Sequence, residues 1–164
     1  MEPLAYKLRP QTINDIFGQT HLVGPNGVIR KMINNRLLPS IILFGNPGTG
    51  KTTIALAVSL DLGLPFHTFN ASIDNKARLK EIIDTLSSDH QTIIIIDEIH
   101  RMKKDIQDYL LPFVENGKIT MIGITTINPY HSVNPAVRSR CLILKLNPLT
   151  NDDLRAILSK ACSQ

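Results

Sequence analysis

Gly45-Asn46-Pro47-Gly48-Thr49-Gly50-Lys51-Thr52 constrains this chain more than any other stretch, because it fits the phosphate-binding pattern G-x-x-x-x-G-K-[ST] in full. It follows a short apolar run, Ile41 to Phe44, and opens a helical pattern, Thr52 to Gly63. The glycines let the backbone wrap closely, so that amide N–H groups point at phosphate oxygens. The helix N-terminus adds its dipole. Lys51 is expected to meet the β- and γ-phosphates, and Thr52 to take a position on Mg²⁺. Gly45 to Thr53, with Asn46, Pro47, Gly48, Thr49, Gly50, Lys51 and Thr52 between them, is the predicted nucleotide-binding segment.

Strand and helix patterns alternate along the rest of the chain. Val28, Ile29, Met32 and Ile33 recur at helical spacing after Pro25-Asn26-Gly27, whereas Pro3 and Pro10 predict an extended start. Phe66–Phe69 reads as a weak strand and Lys76–Leu86 as a helix. Ile93–Ile96 is four isoleucines in a row, the mark of a strand buried on both faces. Ile106–Val114 is a helix pattern interrupted by Pro112. Ile119–Ile124 and Cys141–Leu144 read as further strands. This alternation predicts an α/β P-loop fold, a five-stranded parallel sheet flanked by helices. Thr150 and Asp153 predict the N-cap of a last helix with a stripe of Leu154, Ile157, Leu158 and Ala161. That stripe either packs back on this domain or meets a partner in sequence beyond Gln164.

The four isoleucines run straight into Asp97 and Glu98. Carboxylates at the carboxyl end of a central parallel strand stand beside the ligand crevice. Asp97 is expected to hold Mg²⁺ through its water shell, and Glu98 to orient and polarise an attacking water. Such a pair points to hydrolysis. The 164 residues provide one ordinary domain, 43% of them apolar and 20% charged, which excludes a disordered tail or a supercharged arm. Eighteen basic against fourteen acidic residues permit an acidic partner without requiring one. Arg101, Lys103 and Lys104 form the one dense basic group. Two cysteines cannot make a disulfide framework, and neither a signal peptide nor a spanning run is evident. A cytoplasmic setting without a membrane partner is expected.

DEIH at Asp97–His100 could point to a helicase of the DExH type, but its flanks point elsewhere. YKLRPQTINDIFGQTHLVG (Tyr6–Gly24) is similar to the lead-in of AAA+ ATPases of the clamp-loader clade. HLVGPNG, DEIHR, LLPFVENGKITMIGITTINP (Leu110–Pro129) and NPAVRSRC (Asn134–Cys141) resemble the replication-associated recombination protein A family, also called MgsA. The likeness runs from about Pro3 to Leu158. It implies strand order 5-1-4-3-2, an AAA+ nucleotide-binding subdomain over residues 1–150, and the start of a truncated helical lid over 151–164. It further implies that Gln19, His21, Leu22 and Val23 line an adenine pocket. Asn70 matches the residue that holds the glutamate in an inactive pose, with a plain turn as the other reading. Thr125 matches sensor 1, with Thr126 as its rival. Arg140 matches an arginine finger serving a neighbouring subunit, with Arg138 as its rival. ATP and Mg²⁺ are the implied ligands. DNA forks or single-strand/double-strand junctions, a homotetramer formed through a C-terminal region, and a single-strand DNA-binding protein are the implied partners, at a nucleoid-associated location. The family hydrolyses ATP and couples it to DNA remodelling at stalled forks. A clamp-loader subunit, a Holliday-junction motor and a non-hydrolysing scaffold are the alternatives.

Overall fold

The computed structural model describes residues 10–163. The extended start expected at Pro3 and the Tyr6–Arg9 part of the lead-in lie outside the described residues. Five strands form one parallel sheet: β1 (Ile41–Phe44), β2 (Phe66–Asn70), β3 (Thr92–Asp97), β4 (Ile119–Thr125) and β5 (Leu142–Lys145). Their spatial order is β2-β3-β4-β1-β5. Read from the other edge this is 5-1-4-3-2, as the resemblance implied. The helices between them are α1 (Val28–Asn34), α2 (Lys51–Leu62), α3 (Lys76–Asp84) and α4 (Lys104–Glu115), and α5 (Asn151–Cys162) follows β5. Single helical turns at Thr20–Val23, Pro129–Ser132 and Pro135–Arg138 complete the loops.

The sheet separates two apolar layers, and strand periodicity assigns residues to them. Ile41, Leu43, Ile93, Ile95, Ile122 and Ile124 pack with Ile54, Ala55 and Val58 of α2. Ile42, Ile94, Ile96 and Met121 face the other way, onto Leu79 and Ile82 of α3 and Ile106 and Leu110 of α4. The isoleucine run is therefore buried from both sides, each side chain contributing about 1.5–3 kcal/mol on leaving water. Its central neighbour β4 is buried along its whole length, whereas the edge strand β2 on its other side is mostly half-buried.

Two expectations are modified. Pro112 lies inside α4 and does not end it. It sits in the last turn, so one lost N–H bond is outweighed by the packing of Ile106, Leu110 and Leu111. The α5 stripe is split. Thr150 and Asp153 form the capping box, yet no residue of the helix is buried. Ile157 and Ala161 are half-buried, while Leu154 and Leu158 are exposed. Among the described residues no helix is long and apolar enough to cross a membrane.

Gly123 in the middle of β4 is where sheet and site touch. A Cβ there would lie 2.4 Å from Ile99 Cδ1 and 3.3 Å from its Cγ2. Ile99 is buried and directly follows Glu98. Gly123→Ala is expected to destabilise the protein by about 1–3 kcal/mol, read as a lower urea midpoint. An unchanged midpoint would mean that Ile99 moves aside without cost.

Candidate active site

The register of the sheet ends several strands on one rim. Phe44 pairs with Thr125 and Lys145, and Asn70 pairs with Asp97. The ladder continues one step further, from Gly45 N–H to Thr125 O at 3.3 Å. The P-loop, the carboxylate pair and Thr125 therefore issue from neighbouring strand ends.

Within the loop, Gly48 and Gly50 have φ of +79° and +97°, a backbone only glycine adopts freely. A Cβ on Gly45 would meet Leu146 O at 2.9 Å. The Lys51 ammonium is buried and donates to Gly45 O at 2.8 Å and Asn46 O at 2.9 Å. Burial lowers its pKa below the ordinary lysine value, and the Asp97 carboxylate partly offsets this. Thr49 is buried with its hydroxyl on Asn46 O, leaving Thr52 exposed at the helix start. A space of about 230 Å³ lies against Gly48, Gly50, Lys51, Thr52 and Thr53.

A larger cavity of about 380 Å³ adjoins it, sharing Gly48, Gly50 and Thr53. Pro10, Ile16 and Phe17 form its lead-in wall, and Leu149, Ile157 and Lys160 its far wall. His21, Leu22 and Val23 are not among its lining residues. Leu22 and Val23 are buried in the core, and His21 Nε2 lies 2.7 Å from Lys145 O. Gln19 is a buried buttress. Its Nε2 donates to Thr49 O at 3.2 Å and Asn147 O at 2.7 Å, and its Oε1 accepts from Asn147 N–H at 2.9 Å. Sequence reading missed Ile16, Phe17, Ile157 and Lys160 as lining residues because only folding brings them together. Lys160 also sits over the Phe17 ring, 5.8 Å from its centroid.

Asp97 ends β3 exposed, and its Oδ1 accepts from Glu98 N–H at 2.9 Å. Glu98 is held at φ 52°, ψ 47°, in the left-handed region that non-glycine residues rarely occupy. This turn sends its carboxylate away from the direction a continued strand would give. Such strain concentrates at functional positions. The Thr125 hydroxyl accepts from Ile127 N–H at 3.1 Å and lies 2.9 Å from His100 Nδ1, the tautomer deciding which of that pair donates. His100 is a further residue that sequence reading missed, although the DEIH motif displayed it. Asn70 closes a turn, its Oδ1 accepting from Ser72 N–H at 2.9 Å.

This geometry is matched by the comparisons. Residues 41–149, well over half of the chain, match the model of the ATPase family associated with various cellular activities, AAA. The chain belongs to that family. It is 46% identical over 161 residues to replication-associated recombination protein A of Bacillus subtilis, covering 98% of this chain and 38% of that protein. It is 36% identical to the protein of that name from Haemophilus influenzae, covering 97% and 36%. Among solved structures it is similar to the RuvB Holliday junction branch migration motor of Thermotoga maritima. That match has 27% identity and a TM-score of 0.76, over 95% of this chain and 54% of the other. The chain thus spans a little over a third of the length of these curated relatives.

AAA proteins typically use ATP with Mg²⁺, and the donor set here fits that ion. Thr52 supplies an exposed hydroxyl and Asp97 an exposed carboxylate. No cluster of three or more His, Cys, Asp or Glu occurs among the described residues. Mg²⁺ suits such a sparse set because it keeps waters and phosphate oxygens as ligands.

The two AAA finger candidates differ in their surroundings. Arg138 donates to Tyr130 O at 2.9 Å and stacks over the Tyr130 ring. Arg140 donates to Ala136 O at 2.8 Å and pairs with Glu115. It lies just before β5, whose first residue Leu142 pairs with Ile41, so it sits at the amino rim, opposite the P-loop. Cys141 follows it, and burial pushes that thiol up to about 12, Arg140 offsetting part of the rise.

Gln19→Leu leaves Thr49 O and Asn147 N–H without their side-chain partner. It is expected to cost about 1–3 kcal/mol in urea unfolding. A midpoint equal to wild type would make Gln19 a bystander. In alkylation by iodoacetamide at pH 8, exposed Cys162 should react while Cys141 stays protonated and intact. Mass spectrometry should then find one adduct on the native protein and two after denaturation. Rapid double labelling of the native protein would contradict the shielding of Cys141.

Proposed function

We propose that this chain is the nucleotide-binding core of an ATP-hydrolysing motor that remodels DNA at stalled replication forks during recombination and repair. The observation that carries the reading is the shared rim of Lys51, the Asp97–Glu98 turn and Thr125. The names and 46% identity of the relatives support the DNA part. In this reading, residues 1–150 are the AAA+ subdomain, 151–164 open a helical lid, and the cavity walled by Phe17, Ile157 and Lys160 takes the adenosine. The protein works in the cytoplasm, at the nucleoid, as a homo-oligomer that meets single-strand DNA-binding protein. The likeness to RuvB favours a branch-migration motor as the second reading.

The chemistry follows from the residues. Amides of the Gly48–Thr52 turn donate to the phosphate chain, and Lys51 exchanges Gly45 O and Asn46 O for β- and γ-phosphate oxygens. Thr52 and Asp97 would hold Mg²⁺, which supplies charge neutralisation on those oxygens. Glu98 takes a proton from water as its oxygen attacks the γ-phosphorus. The bond from that phosphorus to the bridging oxygen breaks, and ADP and inorganic phosphate leave. The Thr125 hydroxyl steadies the γ-phosphate or the water. Arg140, released from Glu115, neutralises charge on the transferred group in the neighbouring subunit.

Glu98→Gln should retain ATP binding and cut hydrolysis at least about tenfold, since an amide cannot take up the proton. Lys51→Ala should instead weaken ATP binding in calorimetry, because it removes a charge that meets bound phosphate. Equal ATP affinity in the two variants would refute this division of roles.

A further inference from the structure

A second cavity, of about 410 Å³, lies behind the Asp97–Glu98 turn between α4 and the segment from His131 to Val137. It is separate from the adenosine cavity and shares no lining residue with it. Its apolar side is built from Ile99, Val133 and Val137, all buried. Gln107 is the unusual member. It is 4% exposed, yet among the described residues its side-chain amide makes no hydrogen bond. Among the described residues no side-chain nitrogen or oxygen sealed from solvent lacks a partner, so the Gln107 amide opens onto the cavity it lines, free to pair with an occupant. An amide offers one donor and one acceptor side by side, matching the edge of a nucleobase. Lys104 lines the same cavity, with Arg101 and Lys103 exposed on the same turn against the single acid Asp105. None of the three cations is ion-paired among the described residues. The volume is within the range that holds a nucleotide.

We propose that this cavity takes one nucleotide of single-stranded DNA, with its base on the Gln107 amide and its phosphate on Lys104. Three neighbouring cations suit successive phosphates of a strand better than the single phosphate of a free nucleotide. The proposal rests on the nucleic-acid part of the function above and adds a base-holding site to it. His100 also lines the cavity and touches Thr125 through Nδ1, so an occupant has a one-residue path to the rim where ATP is cleaved. If the occupant donates to Nε2, Nδ1 carries the proton and the Thr125 hydroxyl is free to donate elsewhere.

The test is fluorescence anisotropy with a labelled oligodeoxyadenylate and its abasic counterpart. Wild type should bind the normal strand about tenfold more tightly. Gln107→Leu should erase that preference and leave the affinity for the abasic strand unchanged, a pattern that misfolding would not produce. Lys104→Gln should weaken both strands and lower the salt slope by about 0.7. Wild type binding neither strand would overturn both the DNA reading and this site. Equal binding of the two strands by wild type, or a preference that survives in Gln107→Leu, would overturn the site alone. Deoxyadenosine monophosphate competing as strongly as the strand would overturn the assignment to a strand.

Discussion

Everything at the candidate site depends on the parallel register that ends β1, β3 and β4 at one rim. A slip of one residue in β3 would exchange its two faces, sending Ile93 and Ile95 toward α3 and α4. Burial on both sides makes such a slip costly, and that cost holds Asp97 and Glu98 in place. The hydrogen bond from Gly45 to Thr125 then ties the phosphate loop to the adjacent strand end. Rigidity here comes from apolar packing, and the reactive groups extend from it by one or two residues.

Strain and charge are placed with similar economy. Glu98 alone of the carboxylate pair adopts a left-handed backbone, and buried Ile99 behind it prevents relaxation of the turn. Ile99 in turn occupies the space that Gly123 leaves free. The removal of a single side chain from β4 thus permits a conformation two strand-widths from the phosphate loop. At the far rim Arg140 is balanced by Glu115.

Local signals made the fold readable. The four isoleucines, the glycine-rich loop and the Thr150–Asp153 cap each report on a few adjacent residues, and each element formed within two residues of its expected bounds. Lys51, Asp97, Glu98 and Thr125 stand out in the chain for the same reason. The cavity walls did not stand out, because Phe17 and Lys160 meet across nearly the whole sequence with no periodicity to announce the contact. His21, Leu22 and Val23 illustrate the converse. Leu22 and Val23 pack into the core and His21 reaches Lys145 O, and a motif alone does not tell which of these contacts its side chains make. The buried Gln107 was invisible because a polar residue on an amphipathic helix ordinarily reads as its wet face.

The two carbonyl bonds of Lys51 have a kinetic consequence. An empty phosphate loop with a bare buried ammonium would hold its product tightly, since departure would strand the charge. Here the Gly45 and Asn46 oxygens wait within the loop as resident ligands for the ammonium. In the proposed cycle these oxygens would take back the ammonium as phosphate leaves. If the proposed cycle holds, these two backbone oxygens lower the cost of giving up the nucleotide by offering the charge a partner in its place.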